Sequence, residues 1–370
     1  MVNEKRLIGR FLDLVKIPSP SLHERRVGEY LIETLQEMGV TVTEDEAGVA
    51  EGGDCGNITA FIPGNGKRAV MFTAHMDTVV PCETIMPVEE AGVIRTDGTS
   101  ILGGDDKSGI AAMLETAQVL LENELERPDI VLAFSIGEEI GLLGAKHFAI
   151  EKYAPEFVYV LDSAGKPGVA VTKAPNSANG WIRIIGKAAH AGLAPETGIN
   201  ALTVAAHAIT QIKLGRIDAD TTANIGIVRG GEAANIVMPE VSMKYEARSF
   251  SAEKLDALLA ETGEIFRRTA EKYGAIFEND VVKSYAGFDF PADAEILKPV
   301  REACANLGIP CVVEAGGGGS DANIYNGKGF SAINLSTGMS KVHTTEEYIE
   351  QKDIVDTARL ILEMIRGLAG

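Results

Sequence analysis

Basic residues are scarce in this chain. Thirty-four Lys and Arg stand against 53 Asp and Glu, a formal net charge of −19. That balance excludes non-specific attraction to nucleic acid or to anionic membrane surfaces, and it says little about a substrate. Cysteine is scarce too. Cys55, Cys82, Cys304 and Cys311 form no C-x-x-C pair, so a structural zinc knuckle is not expected. Four thiols in 370 residues make no disulfide scaffold, which fits a reducing compartment. No apolar run approaches the length that spans a bilayer. The segment Met1 to Ile17 scatters Glu4, Lys5, Arg6, Arg10 and Asp13 among apolar positions, as an amphipathic helix does and a signal peptide does not. The expected location is cytoplasmic. There is no repeat at a fixed period, and Gly316–Gly319 is the one homopolymer of note.

What is present is enough apolar sequence, 45%, for sizeable cores, in a chain long enough for two domains. Two amphipathic helices open it, marked by Leu7, Ile8, Phe11, Leu12 and Val15 and then by Val27, Tyr30, Leu31, Leu35 and Met38. Strands are expected at 58–62, 69–73, 130–136 and 157–161, with helices at 108–121 and 141–150 between them. Continuous apolar strands alternating with helices predict a sheet covered on both faces. The pattern then changes. Strands at 180–186, 221–229, 236–248 and 275–284, with helices at 199–213 and 252–273, give the order β-α-β-β-α-β of a split ferredoxin-like unit. After Pro291 the first pattern resumes, with helices at 294–307 and 346–367 and strands at 311–314 and 330–335. A small domain is therefore expected as an insertion in a larger α/β domain.

The acidic and imidazole groups fall where apolar strands end. His75 and Asp77 alternate on one strand and share a face. A carboxylate beside an imidazole fixes its tautomer and strengthens it as a ligand. Asp105 and Asp106 sit on a glycine-rich turn before a helix, where an Asp is equally at home as a cap. Glu138 and Glu139 follow a buried strand directly. Adjacent acids there are costly unless paired or metal-bound, and their opposed directions suit one ligand and one base. Asp162 ends another strand, and His343 precedes the last helix. Each alone is unremarkable, and His23, His147 and His207 read as ordinary surface or packing residues. Together the set matches the carboxyl ends of strands, where open α/β sheets hold ligands.

The order His75-Met76-Asp77-Thr78, Gly103-Gly104-Asp105-Asp106-Lys107-Ser108-Gly109, Gly137-Glu138-Glu139-Ile140-Gly141, Leu161-Asp162-Ser163 and Val342-His343-Thr344 resembles the peptidase T and aminoacylase family of dinuclear zinc exopeptidases and deacylases. Gly186-Lys187-Ala188-Ala189-His190-Ala191-Gly192, with Gly230-Gly231 and Ala234-Asn235, is similar to that family's lid signature, so the likeness covers nearly the whole chain. The resemblance implies a catalytic metal-binding domain at 1–175 and 287–370, and a lid at 176–286 through which the family forms homodimers. It implies two divalent ions, zinc before cobalt or manganese. His75, Asp105 and Asp162 would hold one and Asp105, Glu139 and His343 the other, with Asp105 bridging and followed by a cis peptide. Glu138 would be the general base acting on metal-bridging water, and Asp77 would orient His75. His190 would reach an active site in a partner subunit. Asn235 and Arg248 would contact the carboxylate end of a peptide, and the Gly319-Ser320-Asp321 loop resembles the family's substrate-carboxylate loop.

Aspartate at 162 is the choice of the aminopeptidase members, and Asp-Asp-Lys-Ser-Gly-Ile-Ala looks closest to peptidase T. Removal of the N-terminal residue of tripeptides is the expected activity. An N-acyl amino acid deacylase or carboxypeptidase on the same scaffold is the alternative, and a glutamyl aminopeptidase-type relative lacks the lid signature. A non-catalytic metal-binding relative would have lost a ligand or the base, and here all seven positions are filled.

Overall fold

The computed structural model describes residues 1–66 and 68–369. They form two compact units. Met1–Thr172, Asp289–Gly316 and Ser320–Gly370 make the first, and Lys173–Phe288 with Gly317–Gly319 the second. The brief return of three glycines to the second unit has no local signature in the sequence.

At the centre of the first unit, Asp129–Ser135, Ala69–His75, Phe157–Ser163 and Ala332–Ser336 lie side by side in that order, all parallel. Ile58–Ile62 and Thr41–Glu44 extend one side, and Val169–Ala174 the other, in antiparallel fashion. Every residue from Val70 to His75 and from Ile130 to Ser135 is buried. Burial of both pleat directions means that both faces are covered, which is why these strands read as unbroken apolar runs. Glu4–Val15, Gly104–Glu122, Leu297–Leu307 and Gln351–Leu368 pack among themselves, and Gly104–Glu122 lies on the central strands. That helix is buried continuously from Gly104 to Ala117 and so shows no polar face. Deep within it, Glu115 accepts from Arg6 Nε at 2.6 Å, Arg6 Nη2 at 2.9 Å and the Asn3 amide at 2.7 Å. A buried carboxylate survives there because it is fully paired.

In the second unit the strands order as Thr221–Gly230, Glu240–Ser249, Asn176–Ile185 and Ile276–Asn279, all antiparallel. This is the ferredoxin-like arrangement that the element order predicts. Burial alternates along Asn176–Ile185 and Glu240–Ser249, so helices Ala201–Ile209 and Ala252–Tyr273 cover one face only. Thr221–Gly230 is buried at Thr221 and Ala223 and exposed over most of its remainder.

The departures from expectation are local. The strand expected at 275–284 breaks into Ile276–Asn279 and Val282–Tyr285. The last helix starts at Gln351, not 346, because Tyr348–Glu350 pairs with Val93–Arg95. The helix expected from 294 starts at Leu297 and tolerates Pro299 in its first turn, where no backbone donor is lost. The helix expected at 141–150 shortens to Leu143–His147, after Leu142 in a left-handed conformation. Thr41–Glu44, Val88–Glu90 and Val93–Arg95 carry no pattern in the sequence because they are only three or four residues long. Among the described residues no helix is long and apolar enough to cross a membrane.

Candidate metal centre

His75 is the last residue of its strand, Asp162 the last but one of the next, and Glu138 and Glu139 lie just beyond Ser135. Parallel strands aligned in register bring these ends together. His75 Nδ1 lies 2.9 Å from the Asp77 carbonyl and 3.4 Å from its carboxylate, which leaves Nε2 as the ligand nitrogen. Nε2 is 3.1 Å from Asp105 Oδ1 and 3.9 Å from Asp162 Oδ1. Asp105 turns its other oxygen, Oδ2, to within 3.2 Å of His343 Nε2, which is also 2.9 Å from Glu139 Oε1. Ligand atoms of His75, Asp105 and Asp162 lie within 4.8 Å of one another, as do those of Asp105, Glu139 and His343. One carboxylate thus presents one oxygen to each of two ligand sets. The peptide between Asp105 and Asp106 is cis.

The two adjacent aspartates divide two roles. Asp105 faces the imidazoles, whereas Asp106 Oδ1 accepts from the Gly109 amide at 3.2 Å at the helix start. Asp77 does more than touch His75. Its Oδ1 accepts from the Glu138 amide at 3.0 Å, and its Oδ2 from the Glu139 amide at 3.2 Å and from Ser21 Oγ at 2.6 Å. Glu24, fully buried, accepts from the Gly137 amide at 3.0 Å. Burial and the nearby Asp77 charge push its carboxyl up to about 7. Asp321, also buried, accepts from Ser135 Oγ at 2.6 Å. The sequence offers no signal for Glu24, which neither ends a strand nor sits in a spaced pair, and it marks Asp321 only as part of the Gly319-Ser320-Asp321 loop.

The residues fit cations. Asp77, Asp105, Glu138, Glu139 and Asp162 bring five carboxylates against two imidazoles. Burial, and then the charge of Asp162, push the Glu138 carboxyl well up. Burial and the charge of Asp105 do the same to Asp162. The Asp105 and Glu139 carboxylates hold the His343 imidazole up near 10. Glu139 Oε1 is buried and lacks a hydrogen-bond partner although His343 Nε2 is 2.9 Å away. An acceptor and a nitrogen so placed, unaligned for a hydrogen bond, form a donor set of O and N atoms suited to zinc.

The residues expected to contact substrate are Ser320, His190, Asn235 and Arg248. Ser320 is 2% exposed, and its hydroxyl accepts from the Ala322 amide and donates to Asn334 Oδ1 at 2.9 Å. That hydroxyl is thus engaged in capping a helix and in bonding Asn334. His190 is exposed, and its Nδ1 accepts from the Gly192 and Leu193 amides, each at 3.2 Å. Its neutral form therefore carries hydrogen on Nε2, facing away from its own loop. The Ala191 amide donates to the Asn235 carbonyl, so His190 and Asn235 share one end of the lid sheet. Arg248 is at the other end. Glu240 pairs with Ile185 while Arg248 pairs with Ser177, a run of about 26 Å at ~3.3 Å per residue. Asn235 and Arg248 therefore lie toward opposite ends of one lid sheet.

Residues 172–274 match the peptidase dimerisation domain of the M20 peptidases, and residues 57–210 match peptidase family M28. The chain is 40% identical over its full length, and the relative's, to the uncharacterized protein YqjE of Bacillus subtilis (strain 168). It is 39% identical to the solved aminopeptidase PepT of Bacillus cereus ATCC 10987, with all of both chains covered and a TM-score of 0.90. A solved tripeptidase from Staphylococcus aureus subsp. aureus Mu50 is 38% identical over 100% of this chain and 99% of that one, with a TM-score of 0.94.

The chain belongs to the peptidase T-like M20 peptidases. As a peptidase T-like enzyme it is a metal-dependent exopeptidase, and its strand-end cluster offers ligands for two metal ions. In this enzyme the bonds from Asp77 to the Glu138 and Glu139 amides tie one ligand strand to the next. Asp77→Asn replaces one acceptor oxygen by a donor facing an amide. It should weaken metal binding about 10–100-fold with the fold retained, read by chelator competition and circular dichroism. Unchanged metal affinity would show that these bonds do not position the ligands.

Proposed function

We propose that this chain is a dinuclear zinc aminopeptidase that removes the N-terminal residue of short peptides, tripeptides first. The observation that carries the reading is Asp105, whose two carboxylate oxygens face two separate ligand sets, His75 with Asp162 and Glu139 with His343. Two divalent ions held there would polarise the scissile carbonyl and acidify the attacking water. A Glu138 carboxylate oxygen lies within 4.8 Å of ligand atoms of His75 and Glu139, one from each set, and its backbone is held by Asp77. As general base it takes the proton from the attacking water and returns it to the leaving amine as the peptide bond breaks.

The lid supplies the remaining contacts. His190 presents a hydrogen on Nε2 suited to the oxyanion that develops at the carbonyl. Arg248 is held by Glu246 through Nε at 2.9 Å and Nη2 at 3.3 Å, and it donates from Nη1 to the Gly317 carbonyl at 3.3 Å. A guanidinium so fixed has further N–H groups for a peptide carboxylate. The separation of His190 from Arg248 along the lid sheet supports service of two different active sites. The edge from Asn224 to Gly230, beyond the Gly215–Arg216 pairing and mostly exposed, supports a homodimer built through the lid.

A substrate panel tests the activity. With zinc, cobalt or manganese added, tripeptides should be cleaved fastest, dipeptides more slowly, and N-acetyl amino acids not at all. Preference for N-acetyl amino acids would make the enzyme a deacylase instead.

Subunit mixing tests the site. Glu138→Ala should keep both metals and lose most turnover, and His190→Ala should keep both metals and lose ~10²–10³ in kcat. Mixed and exchanged, the two inactive proteins should recover activity, because one site of the hybrid dimer regains both an intact base and an intact His190. No recovery after verified exchange would place the action of His190 within its own chain, or nowhere in catalysis.

A further inference from the structure

The turn that carries Asp105 is folded around an anion, and the anion comes from another part of the chain. Glu347 is 2% exposed. Its Oε2 accepts from the Leu102 and Gly103 amides, both at 2.8 Å, and its Oε1 from the Asp105 amide at 3.1 Å. Gly103 adopts a left-handed conformation, φ +73°, which turns successive amides toward one point. Such a concave set of N–H groups is an anion nest. Gly104 keeps the nest open, because a Cβ there would lie 3.0 Å from Glu347 Oε1. The two glycines before Asp105 thus have separate reasons. One makes the turn and the other leaves room for a carboxylate that arrives from 242 residues away.

Glu347 belongs to the connection that carries His343. Ser340 and Tyr348 exchange backbone hydrogen bonds and close this loop, and Thr344 Oγ1 donates to the Lys341 carbonyl at 2.7 Å. His343 sits in the loop at φ +62°, a conformation that a side-chain-bearing residue holds only when its surroundings fix it. Glu347 is in neither ligand set, and both its oxygens are taken by amides. Its one evident task is to join two loops.

We propose that Glu347 is a positioning residue that clamps the His343 loop onto the Leu102–Asp105 turn, and so sets the approach of His343 to Asp105 across the second ligand set. The proposal deepens the dinuclear reading and rests on it. Glu347→Gln keeps the size but sets a donor against backbone donors, and Gly104→Ala pushes the carboxylate out of the nest from the other side.

Cobalt titration of the protein, followed by its visible absorption, is the test. Wild type should take up two ions. Glu347→Gln and Gly104→Ala should each bind at least one ion about 10–100-fold more weakly, with an altered cobalt spectrum. The loss of turnover should fall on kcat rather than on KM for a tripeptide. Glu347→Asp, which keeps the charge but falls one methylene short, should be intermediate. Wild-type affinities and spectrum in Glu347→Gln would overturn the proposal. Hydrogen–deuterium exchange of metal-free wild type serves if the variants do not fold. The peptide covering Leu102–Asp105 should exchange slowly, and fast exchange there would overturn the clamp. A wild type that binds fewer than two ions would instead overturn the dinuclear reading, and the exchange result would still decide the clamp.

Discussion

Charge crowding governs this structure. Asp77, Asp105, Glu138, Glu139 and Asp162 meet at the ends of three parallel strands with only His75 and His343 to answer them. Carboxylates are not gathered away from water without compensation, since an unpaired buried charge costs several kcal/mol. Hydrogen bonds offset part of it, as where Asp77 accepts from the Glu138 and Glu139 amides. The remaining excess is negative and concentrated, and divalent cations are the economical answer. The surrounding fold then reads as support for that cluster. Continuous strands bring the ends into register, the buried Gly104–Glu122 helix backs them, Glu24 and Glu347 hold turns between them by their backbone amides, and Asp321 accepts from the Ser135 hydroxyl.

Legibility in the sequence followed the same physics. Strands buried on both faces and the long lid helix Ala252–Tyr273 announce themselves by composition and period, so the α/β plan and the ferredoxin-like order could be read. His75, Asp105, Glu139 and Asp162 were legible because each sits at or just past such an element, and His343 through the Val342-His343-Thr344 motif. Short exposed strands such as Thr41–Glu44 leave no period to find. Glu347 and Glu24 were not legible because they act through backbone amides far away in sequence, and a carboxylate that binds amides looks in sequence like any surface acid. The structural part of Ser320 was hidden for a related reason. A serine beside glycines looks available, but here it caps a helix and bonds Asn334.

The lid adds a constraint that no motif contains. His190 and Asn235 gather at one end of a sheet whose other end holds Arg248, and one short peptide cannot span that run. On the proposed reading, a single chain therefore does not bring all of its lid groups to one substrate. Two chains related by symmetry could, with each lid giving Arg248 to one site and His190 to the other. Dimerisation would then complete the catalytic apparatus as well as add stability.

The claim at the centre of this account is that Asp105 bridges two ions. Zinc-edge anomalous diffraction from crystals grown with zinc tests it most directly. Two peaks are expected in each chain, one about 2.0–2.2 Å from ligand atoms of His75 and Asp162 and the other from those of Glu139 and His343, with an Asp105 oxygen on each. A single peak, or two peaks of which one is not bound by Asp105, would contradict it.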